Sequence, residues 1–297
     1  MLGVIGDLVE DIVVWLNEPI RYGSDTDVDV FRVRGGSAAN VAAMAARACR
    51  TRFFGCVGDD PSGDGIVRSL KESQVDVRVQ RRGRTGTIVI LVDADGERTM
   101  LPDRGASTLI RTLTAEDLAG VALLHVSSYS FQGTDLRHEM EGTLALAAQM
   151  RVDVSIDASS EGLIESFGRE EYIALLQRFQ PHILFANRDE ARALGLENED
   201  SALVGALPRT TFVLKRGADA TKLIRHGRAT LSVTVPPVAG VRDSIGAGDA
   251  FAAGFLSGYL THGDFMSACK DGHAFAAEVL RTPGAGGAPL TATHSAS

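Results

Sequence analysis

Nine residues near the C-terminus constrain this chain more than any others: Asp243-Ser244-Ile245-Gly246-Ala247-Gly248-Asp249-Ala250-Phe251. Two glycines flank an alanine, a carboxylate follows at once, and the small, apolar run Ala252, Ala253, Gly254, Phe255, Leu256 reads as a helix. A glycine-rich turn that opens a helix aims several backbone N–H groups in one direction, at the positive end of the helix dipole, and so makes an anion site. An aspartate is a poor phosphate ligand, because like charges repel. Inside such a cradle it points to chemistry: a base that takes a proton from a hydroxyl while the N–H groups hold developing phosphate charge. The plainer reading is a tight turn at Gly246 and Gly248, with Asp249 as a helix cap.

A second motif lies near the other end: Arg34-Gly35-Gly36-Ser37-Ala38-Ala39-Asn40-Val41-Ala42-Ala43-Met44-Ala45-Ala46. A glycine pair precedes a serine suited to cap a helix, and the alanines that follow keep that helix thin. Asn40 falls in the first turn, where its amide both donates to and accepts from hydroxyls.

The two motifs, in this order, resemble the signatures of the PfkB, or ribokinase-like, family of carbohydrate kinases: G-G-x-x-x-N near the N-terminus and D-[ST]-x-G-A-G-D near the C-terminus. The resemblance runs from Val4-Ile5-Gly6-Asp7 to Thr282-Pro283-Gly284-Ala285. Between them, Phe54-Gly55-Cys56-Val57-Gly58-Asp59-Asp60-Pro61-Ser62-Gly63 resembles the family's strand-to-helix stretch. Asn187-Arg188-Asp189-Glu190 matches N-x-x-E, and Lys215-Arg216-Gly217 sits where a nucleotide-contacting strand end is expected.

Alternation of short apolar runs with helical patterns agrees with this. Strands are expected at Leu2–Ile5, Thr51–Val57, Ala122–Val126, Asp153–Ile156, Ile183–Ala186 and Thr211–Lys215, with helices between them and two more, Ala247–Leu260 and Asp264–Leu280, at the end. Such a rhythm predicts an α/β fold with a mainly parallel sheet covered on both faces, the ribokinase-like three-layer sandwich. Residues 11–34 and 86–103 break the rhythm. They read as extended segments and a hairpin, and Thr87–Val92 is too apolar for a free edge. A small β-sheet lid is expected there, which in the resembled family often pairs two subunits. The whole of 1–287 reads as one domain and 288–297 as a disordered tail.

Charge and composition limit the partners. Thirty Lys and Arg against 38 Asp and Glu leave a net charge of −8, which argues against nucleic acid and against a membrane surface. Three cysteines (Cys49, Cys56, Cys269) without paired spacing suggest neither a disulfide framework nor a zinc site. No signal peptide or membrane span is legible, and the expected location is the cytoplasm.

The resemblance then assigns roles. Asp249 is the base, and Gly246, Ala247 and Gly248 form the anion hole. Arg104, in Pro102-Asp103-Arg104-Gly105, holds the substrate or steadies the transferring phosphate; its plainer reading is an ion pair with Asp103 or a neighbour. Asp7, Asp11, Gly36 and Asn40 meet the acceptor. Asn187, Lys215 and Gly217 lie along ATP, with Gly246 and Gly248. Asn187 and Glu190, one turn apart, organise Mg2+ through its waters, or else are an N-cap and a first-turn acid. Asp243 and the Ile245 carbonyl, with 285–287, resemble the K+ site of some members.

Two departures weigh against ribose as acceptor. The family's N-x-D is here Val9-Glu10-Asp11, and an acidic residue expected after Ala122–Val126 is replaced by Ser127-Ser128-Tyr129. Arg104 is more reminiscent of members that act on keto-sugars or sugar acids. The leading expectation is an ATP-dependent sugar kinase. A nucleoside kinase on the same fold comes second, and a sensor that lost catalysis third. A Rossmann dehydrogenase fits badly: the turn lies far from the first strand and lacks a third glycine.

Overall fold

The computed structural model describes residues 1–196, 198–241 and 246–281. Asp243, Ile245, residues 285–287 and the expected tail 288–297 lie outside them.

In chain order the elements are β1 (Leu2–Ile5), β2 (Val9–Leu16), β3 (Val28–Gly35), α1 (Ser37–Ala45), β4 (Thr51–Val57), α2 (Pro61–Glu72), β5 (Asp76–Arg81), β6 (Thr87–Val92), β7 (Arg98–Asp103), β8 (Leu123–Ser127), α3 (Thr134–Gln149), β9 (Asp153–Asp157), α4 (Glu161–Phe167), α5 (Arg169–Phe179), β10 (Ile183–Ala186), α6 (Arg188–Leu194), α7 (Ala202–Ala206), β11 (Thr211–Arg216), β12 (Asp219–Arg225), β13 (Leu231–Val233), α8 (Ala247–His262) and α9 (Phe265–Val279). Short one-turn 3-10 helices cover Gly105–Leu109 and Ser128–Phe131.

Strands such as β1, β8 and β10 are buried along their whole length, so they can only be central. The large sheet runs β13-β12-β11-β10-β9-β8-β1-β4-β5. From β5 to β11 every neighbouring pair is parallel, and only β12 and β13 run antiparallel. One face packs on α3 to α7 through Met140, Leu163, Tyr172, Leu194 and Leu203. The other packs on α1, α2, α8 and α9 through Val41, Ile66, Phe255 and Cys269. This is the α/β three-layer arrangement, and it places the C-terminal ends of seven parallel strands along one edge.

Three strands that the sequence reading passed over lie at the margins. β5 (Asp-Val-Arg-Val-Gln-Arg) is mostly polar because it closes one edge; β13 closes the other, with β12 between it and β11. Edge strands need only one apolar face, so they lack the continuous apolar run of central ones. Helix α4 and the single-turn α7 are too short to show a period.

A second, four-stranded sheet has the order β3-β2-β6-β7. Two antiparallel pairs, β2–β3 and β6–β7, are joined by parallel pairing of β2 with β6. The apolar β6 is therefore an interior strand. The chain leaves β3 through Gly36, at φ +100°, where a Cβ would lie 2.3 Å from the Asp7 carbonyl oxygen. Only glycine allows β3 to hand over to α1 so close to the end of β1.

Close approach also defines the α8–α9 pair. A Cβ on Gly254 would sit 2.5 Å from the Asp271 carbonyl oxygen, and one on Gly272 would press on the Phe251 ring at 2.9 Å. Gly254→Ala should gain about 1 kcal/mol of helix propensity but lose about 1–3 kcal/mol to overpacking. A fall in thermal melting temperature is expected; an unchanged or higher value would contradict this packing.

Candidate active site

The parallel strands deliver polar residues to one edge: Asp7 just after β1, Ser127 at the end of β8, Asp157 at the end of β9, Asn187 after β10 and Lys215 in β11. Ligands of open α/β sheets bind at this carboxyl edge, beside helix N-termini. Here the helix is α8. Its N-cap is Gly246, left-handed at φ 72°, and among the described residues no side chain caps its first N–H groups. They remain available to an anion.

Asp249, three residues on from Gly246, does not cap its own helix. Its Oδ1 accepts from Ser37 Oγ at 2.7 Å and its Oδ2 from Asn40 Nδ2 at 3.1 Å. Burial raises its pKa to about 6. The Ser37 and Asn40 hydrogen bonds oppose that rise, and the Asp157 charge adds to it. A carboxylate with a pKa near neutrality, fixed beside a helix N-terminus, can take a proton from a hydroxyl and release it afterwards.

Lys215 reaches the same place from the sheet. Its Nζ donates to Asp157 Oδ2 at 2.8 Å, with both side chains mostly buried. A Cβ on Gly248 would lie 3.7 Å from that ammonium, so a fixed positive charge stands at the mouth of the α8 turn. Burial works against the Lys215 charge, but Asp157 and Glu190 outweigh it and hold its pKa above the ordinary value. Asp157 was not singled out in the sequence. A carboxylate as the last residue of a buried parallel strand was the available signal. The following loop is held by Ser159, at φ 68°, whose N–H donates to Asp157 Oδ1 at 2.8 Å.

On the acceptor side, Asp7 and Arg104 form a two-pronged pair. Nε donates to Oδ2 at 2.8 Å and Nη2 to Oδ1 at 2.7 Å. Arg104 also donates to Gln132 Oε1 at 3.1 Å. Its partner is thus Asp7; Asp103 instead pairs with Arg84. The Asp11 carboxylate lies against Gly35, where a Cβ would be 2.0 Å from Oδ1. Burial raises Asp11 to about 7, and the nearby Arg34 charge pulls the other way. Gly36, the N-cap of α1, lies against the Asp7 backbone.

Asn187 and Glu190 close a capping box. Asn187 Oδ1 accepts from the Glu190 N–H at 2.9 Å. Glu190 Oε2 accepts from the Asn187 N–H and Oε1 from Asn187 Nδ2, each at 2.7 Å. Burial, reinforced by Asp157, raises the Glu190 pKa to about 7. Among the described residues no group of three or more acidic, His or Cys side chains could grip a metal ion. The donors present fit a magnesium ion carried on nucleotide phosphates and approached through water.

Beside this edge lies an open cleft of about 530 Å³, lined among others by Asn187, Lys215, Gly217, Gly248, Phe251 and His273. Gly217, at φ 65°, turns the chain from β11 to β12. Of the aromatic side chains Phe31, Tyr129 and Phe131, which a nucleobase would need for stacking, Phe131 is fully buried, Tyr129 is partly buried against the core and Phe31 is exposed on the small sheet.

Fold and edge together describe a phosphotransferase that uses a hydroxyl group as acceptor. Residues 3–292 match the pattern described as pfkB family carbohydrate kinase. The chain belongs to that family. It is 31% identical over 262 residues to an ATP-dependent ribose-1-phosphate kinase of Halopiger xanaduensis, covering 86% of this chain and 83% of the relative. It is 28% identical over 277 residues to a fructokinase of Klebsiella pneumoniae, covering 88% and 84%. The fold is shared with an adenosine kinase of Sinorhizobium meliloti at TM-score 0.83 and 24% identity, over 96% of this chain and 94% of the other. No helix among the described residues is long and apolar enough to cross a membrane.

The raised Asp11 pKa has a thermodynamic consequence. The unfolded side chain titrates near its model value of 3.8, the folded one near 7. Between those values the folded state binds more protons, so stability falls as pH rises and the full penalty stands above pH 7. Asp11→Asn should therefore stabilise the ligand-free protein at pH 8 by on the order of 1–3 kcal/mol. The gain should shrink toward pH 4. Melting curves at both pH values test this, and equal stability of the two proteins at pH 8 would refute it.

Proposed function

We propose that this protein is an ATP-dependent sugar kinase that phosphorylates a hydroxyl of a small carbohydrate, with a keto-sugar or sugar acid favoured over ribose. One observation carries the reading: Asp249 is held away from its own helix by Ser37 and Asn40, beside the open N–H groups of Gly246, Ala247 and Gly248. A pure binder of phosphate gains nothing from a carboxylate there.

In this reading the sugar lies between Asp7, Asp11, Gly36 and Asn40, under the small sheet, which acts as a lid. Asp249 Oδ takes the proton of the attacking hydroxyl. The α8 turn receives the charge that develops on the transferred phosphoryl group, where each donor contributes about 3–4 kcal/mol. Lys215, pinned by Asp157, faces the same charge, and Arg104 borders the acceptor side. Asn187, Lys215 and Gly217 line the nucleotide cleft. Magnesium on ATP would neutralise its phosphates, with Asn187 and Glu190 orienting the ion's waters. Closing the small sheet excludes water, which would otherwise hydrolyse ATP. The monovalent-cation site expected at Asp243 and Ile245 falls outside the described residues. We place the enzyme in the cytoplasm, as one domain over residues 1–287.

ADP formation with Mg-ATP, measured against D-fructose, fructosamine, ribose 1-phosphate, D-ribose, a sugar acid and adenosine, tests the reading. Acceptor-dependent turnover should appear and fall at least about 100-fold in Asp249→Asn. Its kcat/KM should decline below about pH 6, where Asp249 becomes protonated. Turnover with adenosine alone would favour the nucleoside reading. Tight binding without turnover would leave a sensor.

The small sheet also supports a homodimer. Ile12, Val14, Val30, Val89 and Leu101 share one face by register, and Val30 and Leu101 are 51% and 53% exposed. Asp11 points to the opposite face, so a second copy could cover this one without blocking the site. Val30→Glu with Leu101→Glu should halve the mass measured by light scattering; an unchanged mass would sink the lid-mediated dimer.

A further inference from the structure

Among the described residues, two buried polar atoms beside the proposed acceptor site have no hydrogen-bond partner. Arg34, the penultimate residue of β3, is 6% exposed, and its Nε makes no hydrogen bond. Asp11 Oδ1 is equally enclosed and accepts none. Leaving a buried guanidinium donor and a buried carboxylate oxygen unpaired is costly. The charges of the two groups nevertheless stabilise one another. One needs an acceptor and the other a donor. A hydroxyl is both, and a sugar presents hydroxyls on adjacent carbons.

The remaining Arg34 contact leads to the base. Nη1 donates to Asn40 Oδ1 at 3.2 Å, and Asn40 Nδ2 donates to Asp249 Oδ2 at 3.1 Å. An amide has one oxygen and one nitrogen end. By claiming the oxygen, Arg34 turns the nitrogen toward Asp249. Arg34 belongs to the small sheet and Asp249 to α8, so this chain of bonds spans the two sheets' layers.

We propose that Arg34 is an acceptor-binding and positioning residue: with Asp11 it clamps a sugar hydroxyl, and through Asn40 it orients Asp249. The inference rests on the kinase reading above. A lysine in its place would keep the charge but not the planar fork that serves a ligand and Asn40 together. Among the described residues, the other charges acting on Asp249 are Asp157 on β9 and Lys215 on β11, and Arg34 adds a cation from the small sheet.

The test compares wild type, Arg34→Gln and Arg34→Lys, using the acceptors named above. ADP formation and the melting shift caused by each acceptor are both recorded. For Arg34→Gln, the acceptor KM should rise at least tenfold while the ATP KM changes less than twofold. The acid limb of kcat/KM should move to higher pH, because Asp249 loses a nearby positive charge. Arg34→Lys should restore the limb but not the acceptor KM. Acceptor KM and acid limb both unchanged in Arg34→Gln would overturn the proposal, as would equal loss of ATP and acceptor affinity. Where wild type turns over nothing but an acceptor raises its melting temperature, the kinase reading fails. The clamp then stands only if Arg34→Gln abolishes that shift. Wild type that neither turns over nor is stabilised by any acceptor overturns both.

Discussion

The bonds from Ser37 and Asn40 to Asp249 join residues more than 200 positions apart and set the first turn of α1 against the first turn of α8. Much else follows from that junction. It takes Asp249 away from a capping role, which leaves the α8 N–H groups open. It also brings the first helix, with the glycine turn that precedes it, against the turn at Gly246. The small residues on both helices are what permit it: α1 is mostly alanine, and α8 carries glycine and alanine where a larger side chain would hold the helices apart.

The electrostatics of the site derive from packing charges at one sheet edge. Asp157, Glu190, Asp249 and Lys215 lie near enough to shift one another, in surroundings that favour neutral forms. One ammonium among three carboxylates leaves excess negative charge, so Glu190 and Asp249 hold protons more tightly than exposed acids do. An arriving nucleotide with its magnesium would add to this balance from outside. Ligand-free, the edge trades stability for a carboxylate poised near neutrality.

Much was legible in the chain. Continuous apolar runs give central strands, because a strand buried on both faces tolerates little else, and β1, β4, β8, β9, β10 and β11 fall within a residue or two of their expected positions. The Gly246–Asp249 turn and the Asn187–Glu190 box are local: spacing along the sequence is also spacing in the structure. The edge strands β5 and β13, and β12 beside β13, were not legible, since their polar faces resemble loops. Ser37 read as a helix cap, yet the cap position is Gly36 and its hydroxyl goes to Asp249, and nothing local in Asp157 or Arg34 named their partners. Their meaning comes from Lys215, Asp249 and Asn40, to which only the fold brings them.

By itself, then, the sequence determined the layers, the glycine turn at α8 and the residue types available for phosphoryl chemistry, because these depend on apolar periodicity and on backbone freedom at particular glycines. Tertiary structure decided which of those residues act on one another. It paired Arg104 with Asp7, not with the adjacent Asp103, turned Asn40 toward Asp249 through Arg34, and set Lys215 against Asp157 at the mouth of the turn. Hydrogen bonds and burial are properties of neighbours in space. In a parallel sheet those neighbours come from successive strands, separated in the chain by whole helices.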